Sequence, residues 1–205
     1  MLFLARHGET EWNRDGRIQG RGDSPLTAKG ECQARALARF TVAWGVTRLY
    51  ASPLGRARAT AAVVAAASGV APGFDDRLRE AAYGLAEGLT GAEIEARFPG
   101  ALAARAAGRW DRALPGGETG AEVWDRAAAF AGERLAGVCE DAGMRVMVIA
   151  HQGVNRALAG VLGGLDPPSA TAMAQPHGVV FACAADGVFC LRLETGESGG
   201  HASPR

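Results

Sequence analysis

The chain runs to 205 residues, 48% apolar and 21% charged, with 22 basic side chains set against 22 acidic ones. That length fills one hydrophobic core rather than two, and a formal net charge of zero removes bulk attraction to nucleic acid or a membrane surface as a reason to expect either partner. Nothing approaches the roughly 20 consecutive apolar residues that span a bilayer, and the opening MLFLARHGET lacks the basic leader and long hydrophobic region of a secretory signal, so the expected location is cytoplasmic.

LFLA (residues 2–5) is a compact apolar strand that runs into Arg6-His7-Gly8-Glu9-Thr10. TAKGECQARALARF, from Thr27, reads as a helix with Thr27 as its cap and Cys32, Ala36, Leu37 and Phe40 on one face. RLYA (48–51) is a second strand and GRARATAAVVAAA, from Gly55, a second helix. A shorter helix is expected over residues 90–98. ETGAEVWDRAAAFAGERLAGVCEDAG (118–143) reads as one long helix, in which Thr119 and Glu122 have capping-box spacing. RVMVIA (145–150) is a third strand, with VNRALAGVL as the helix after it.

VVFACAADGVFCLRLE (179–194) places Asp186-Gly187 between two apolar runs, a hairpin signal. Cys32, Cys139, Cys183 and Cys190 form no CxxC pair and no metal-type spacing, which suits small packing residues in a reducing compartment. Strand alternating with helix argues for a three-layer α/β/α sandwich, its central sheet mostly parallel with an antiparallel element near the end. One domain over residues 1–196 is expected, followed by a polar, glycine-rich tail (197–205) that reads as disordered.

In open α/β sheets, ligands bind beyond the carboxyl ends of the strands. The first strand is followed by Arg6 and His7, the second by Ser52-Pro53-Leu54-Gly55-Arg56-Ala57-Arg58, and the third by His151-Gln152-Gly153. Two histidines and several arginines thus meet at one sheet edge. Arginine offers planar, permanently charged donors that match phosphate oxygens, and helix N-termini and glycine turns add backbone N–H groups for the same anion. A histidine among arginines is disfavoured as a cation, so it is neutral near pH 7 and able to attack phosphorus. Two plainer readings stand beside this. Each histidine alone also suits a structural, hydrogen-bonded role, and His7 and His151 with Glu80 or Asp23 would suit a metal. Clustered arginines repel a divalent cation, which disfavours the metal.

RHGETEWN, SPLGRARATA, LREAAYGLAEGLT (78–90) and AHQG, with PGGET (115–119), together resemble the histidine phosphatase superfamily, in its phosphoglycerate-mutase-like branch. The resemblance implies that His7 is the phosphorylated nucleophile and that Arg6, Arg56 and His151 hold the phosphoryl group. It implies that Glu80 is the acid/base carboxylate, that Asn13, Gln19 and Gly20 line the pocket, and that Arg58 and the Gln152 backbone N–H reach substrate. No metal or other cofactor is implied.

RIQG (17–20) followed by Arg21, and a short region between Glu80 and Pro115, with its cap insertion (residues 87–115), that lacks the longer insertion with paired arginines through which the mutases hold a second phosphate, favour phosphomonoester hydrolysis over mutation. Tyr83 and Arg79 keep phosphoglycerate mutase as the alternative; a non-catalytic phosphoryl-binding protein is a third reading, disfavoured because nucleophile and acid are both present. The partner expected is a small phosphorylated metabolite: a sugar phosphate, a phosphoglycerate or α-ribazole phosphate. Oligomeric state is left open, a homodimer being one candidate. Phe98 and Trp110 in the cap read as packing residues, and the cap carries no motif that selects a substrate.

Overall fold

A computed structural model describes residues 1–141 and 143–194; the tail expected at 197–205 lies outside them. The chain forms β1 (Leu2–Arg6), α1 (Glu11–Arg14), α2 (Ala28–Ala43), β2 (Arg48–Ala51), α3 (Gly55–Ser68) and β3 (Pro72–Phe74). The cap follows with α4 (Gly91–Arg97) and α5 (Ala101–Ala107). Then come α6 (Gly120–Arg134), β4 (Val146–Ala150), α7 (Gln152–Gly163), α8 (Pro167–Ala172), β5 (Val179–Ala184) and β6 (Gly187–Arg192).

The six strands make one sheet in the order β3-β2-β4-β1-β5-β6. Its first four members are parallel, and β5 runs antiparallel to both β1 and β6. Alternation along β1 divides the core. Leu2 and Leu4 face a layer containing Phe130 and Leu158, from α6 and α7. Phe3 and Ala5 face one containing Leu37 and Val64, from α2 and α3. This is the α/β/α sandwich that the alternation of elements implied. Phe130 is fully buried with its ring 5.5 Å from that of Tyr50, and truncating such a ring costs about 3–5 kcal/mol.

Local signals place the helix starts. Thr27 accepts from the Gly30 N–H, and Thr90 and Thr119 each complete a capping box, with Glu93 and Glu122. Two boundaries differ from the sequence reading. The long helix ends at Arg134, because Leu135 and Val138 turn inward to become buried (1% and 1% exposed) and Gly137 takes a φ of 72°. In the hairpin, Ala184 pairs with Gly187, so Ala185 and Asp186 form the turn and the glycine opens β6.

Candidate active site

Strand register converts distant sequence into one site. Arg6 pairs with Ala150 across the parallel β1–β4 ladder, and the His7 N–H continues it by donating to the Ala150 carbonyl at 3.1 Å. His7 and His151 are therefore the residues that follow adjacent strands, with ring centroids 5.1 Å apart. On the other side of β4, the Ser52 N–H donates to the Ile149 carbonyl at 2.9 Å, which sets the end of β2 beside His151. Gly8 then passes so close to the first turn of α2 that a Cβ would collide with the Gly30 backbone.

His7 is 3% exposed. Its Nδ1 lies 2.7 Å from the Gly8 carbonyl oxygen, which can only accept, so Nδ1 carries the hydrogen. The lone pair is left on Nε2, where the Arg56 Nε–H donates to it at 3.2 Å. Burial, reinforced by Arg56 and Arg6, holds the imidazole pKa well below its ordinary value. The ring is neutral, with its unprotonated nitrogen turned to Arg56.

Arg56, 2% exposed, is held through its whole guanidinium. It donates to the carbonyls of Gly22 and Gly20, each at 2.7 Å, and to Asp23 Oδ1 at 3.1 Å. Asp23 also accepts from the backbone N–H groups of Gly55 and Arg56 at the start of α3. The loop after the first motif is thereby tied to α3, and Glu87 ties it to the cap, accepting from the Arg21 and Gly22 N–H groups at 2.9 and 3.0 Å.

His151 is fully buried; its Nε2 is 2.8 Å from Ser52 Oγ and its Nδ1 has no partner. Burial, then Arg56 and His7, depresses its pKa well below the usual range. Arg6 donates to the Gln175 carbonyl at 3.5 Å, while its buried Nε has no partner. Glu80 is 9% exposed and accepts from the Ala81 N–H at 2.9 Å and the Gly153 N–H at 3.1 Å. A Cβ on Gly153 would strike that carboxylate, so glycine lets α7 begin against Glu80. Arg126 fixes the segment before it, donating to the Arg77 and Arg79 carbonyls at 2.6 Å each.

A cavity of about 280 Å³ lies over these groups. Arg6, His7, Arg56 and Glu80 line it, as do Asn13, Gln19, Gly20 and Gln152. Asn13 is also structural, its Oδ1 accepting from Thr10 N–H and hydroxyl, and Gly20 contributes its carbonyl to Arg56. His151 stands behind His7 and does not line the cavity. Arg58 corrects the expectation. Its exposed side chain lies outside the cavity, donating to the Pro53 carbonyl and stacking on Phe74 at 4.0 Å, because it points from the far face of α3.

The sequence reading left several lining residues without a role. Arg17, Arg105 and Arg109 reach the cavity, with Arg105 over the Tyr83 ring at 4.9 Å and its buried Nε unpartnered. The short cap thus supplies two arginines of its own. Nothing in the spacing of α5 signalled this, since the helix has no buried residue. His177 was also passed over. Its ring lies 5.5 Å from that of His7, and burial, followed by Arg6, pushes its pKa down to about 3. Buried polar atoms are nearly always paired; the unpartnered Nε atoms of Arg6 and Arg105, both lining the cavity, suit an anionic ligand there. Among the described residues there is no cluster of three or more metal-ligating side chains, and no helix long and apolar enough to cross a membrane.

Comparison with known proteins bears on the same residues. A family model described as histidine phosphatase superfamily (branch 1) matches residues 2–187. The chain is 39% identical over 151 residues to the Salmonella paratyphi B protein named "Probable phosphoglycerate mutase GpmB", covering 73% of this chain and 68% of that one. Among solved structures, a mycobacterial glucosyl-3-phosphoglycerate phosphatase complexed with VO3 superposes with a TM-score of 0.77 at 30% identity, over 93% of this chain and 96% of that one. The α-ribazole phosphatase from Shigella flexneri shares the fold, with a TM-score of 0.80 at 23% identity over 98% and 99% of the two chains.

Proposed function

The chain belongs to the histidine phosphatase superfamily, and from that premise we propose that it is a metal-independent phosphomonoesterase acting on a small phosphorylated metabolite through a phosphohistidine intermediate on His7. The observation that carries this reading is the tautomer of His7: Nδ1–H is held by the Gly8 carbonyl, and Nε2 presents its lone pair beside two arginines.

In the first step His7 Nε2 bonds to phosphorus and the bond from phosphorus to the leaving oxygen breaks, while Glu80 passes a proton to that oxygen. In the second, water attacks phosphorus, the P–N bond breaks, and Glu80 takes the proton from water. Inorganic phosphate leaves and His7 returns to its neutral form. Arg6 and Arg56 stabilise charge on the phosphoryl oxygens in both steps. Fixed cations fill the place that a divalent metal holds in other phosphoryl transfers.

Trapping the enzyme with substrate should give acid-labile, alkali-stable phosphate on the wild type and none on His7→Ala, with turnover insensitive to EDTA. A wild type that stays unlabelled during hydrolysis would sink the mechanism.

Phosphoglycerate mutation is the second reading. It is supported by Arg105 and Arg109 in the cavity beside Tyr83, where they suit a second anionic group on the substrate, and by the name of the Salmonella relative. Supplying 3-phosphoglycerate with and without 2,3-bisphosphoglycerate separates the two. Isomer formed faster than phosphate released would establish the mutase.

A further inference from the structure

A second cavity, of about 920 Å³, shares a wall with the one over His7. Glu80, Tyr83, Arg105, Arg109 and Gln152 line both. Away from Glu80 the wall becomes apolar and aromatic. Trp110 and Trp124 meet there edge to face, with centroids 5.8 Å apart, and Val123 and the prolines that open α8 complete it. Small-molecule sites occupy roughly 300–1,000 Å³, so the larger cavity is far more than a three-carbon leaving group fills.

The position of Glu80 decides what enters. In the proposed reaction this carboxyl hands its proton to the leaving oxygen, so whatever that oxygen carries lies on the Glu80 side, along the shared wall. A group leaving in that direction passes Arg105 and Arg109, then meets Trp110, which is 38% exposed. Tryptophan faces favour flat rings and the apolar faces of sugars.

We propose that the larger cavity is a leaving-group subsite, and that preferred substrates are phosphomonoesters whose leaving group bears a ring that packs on Trp110 and Trp124. This rests on the phosphomonoesterase reading and narrows its substrate class.

Two matched pairs test it, each adding one ring while keeping the leaving oxygen: 3-phosphoglycerate with 2-O-glucosyl-3-phosphoglycerate, and phenyl phosphate with 4-biphenylyl phosphate. In at least one pair the ring should raise kcat/KM by about tenfold or more, the discrimination an apolar pocket ordinarily supplies. Trp110→Ala, which removes the wall, and Ala172→Trp, which fills the cavity from an exposed position on α8, should each bring that ratio to within about twofold of one. Unchanged thermal melting of either variant shows that the loss is not unfolding. No ring preference in either pair, or a preference that survives both substitutions, overturns the subsite. If phospho-His7 still forms in that case, the phosphatase reading stands alone; if no phosphomonoester labels or turns over, both fall.

Discussion

The floor and the cap of the cavity are built in opposite ways. The floor comes from just beyond β1 and β2, with the end of β4 behind it: strand register fixes His7 and His151, 3% and 0% exposed, and the loop carbonyls and Asp23 fix Arg56, 2% exposed, at the start of α3. The cap contributes Arg105 and Arg109 from and just beyond α5, a seven-residue helix without a fully buried residue. It rests on a small cluster around Ala86, Ile94 and Leu114. A rigid sheet edge holds reacting groups in place at no further cost in ordering. A thin helical layer can change its side chains without disturbing that edge. On the proposed reading, chemistry is invested in the floor and selection of substrate in the cap.

Substitutions should separate the two by size and kind of effect. His7→Ala should lower turnover most, by about 10⁴-fold or more, measured as kcat on any accepted phosphomonoester; residual activity near wild type would mean that the floor does not carry the reaction. Glu80→Gln should lower kcat by about 10²–10⁴ on alkyl phosphates. The loss should be smaller on p-nitrophenyl phosphate, whose leaving group needs no proton. An equal loss on both would remove Glu80 as the acid. Arg56→Lys keeps the charge but loses the fork that grips Gly20, Gly22 and Asp23. It should cut kcat/KM by about 10²–10³ and lower Tm, since Arg56 also ties the loop to α3.

Arg105→Ala and Arg109→Ala should instead raise KM by roughly tenfold to a hundredfold for substrates with a second anionic group, with Tm unchanged. A fall in kcat with KM intact would erase the distinction drawn between floor and cap.

The smallest effect is in pH. His7 and His151 sit well below the ordinary histidine value of 6.5 and His177 at about 3, so all three are neutral in the fold where the unfolded chain takes up protons. Stability is therefore unaffected above about pH 6.5 and falls as pH drops below it, by at most about 1.4 kcal/mol per unit for each histidine. Urea unfolding at pH 8, 6 and 5 measures the slope. For the same reason kcat/KM should show no acid limb near 6.5 arising from His7. Replacing His177 with Asn should flatten the stability curve while leaving the midpoint at pH 8 nearly in place.

Much of the floor was legible because it is written in short, strongly patterned stretches. LFLA, RLYA and VMVIA are short, largely apolar runs of four or five residues, and the residues after them are the ones proposed to react. Threonine caps at Thr27, Thr90 and Thr119 were equally local. The cap was not legible. Its alanine-rich α5 has no apolar stripe, so periodicity could not show which face Arg105 would turn to the cavity. The resemblance carried Arg58 into the site, but two residues beyond Arg56 along a helix it lies on a different face.

By itself the sequence determined the main strands and helices, their order and the identity of the groups at each strand end, because those depend on neighbours within a few residues; the short elements α1, β3, α5 and α8 carried no such pattern. It also carried the chemistry of arginine against phosphate. Only the tertiary structure decided that His7 and His151 stand 5.1 Å apart, that the Gly8 carbonyl sets the His7 tautomer, and that two cap arginines line the same cavity as His7. Those facts depend on register between strands 144 residues apart and on close backbone approach, at Gly8 over Gly30 and at Gly153 against Glu80. Packing across the whole fold sets them, and no local pattern encodes packing.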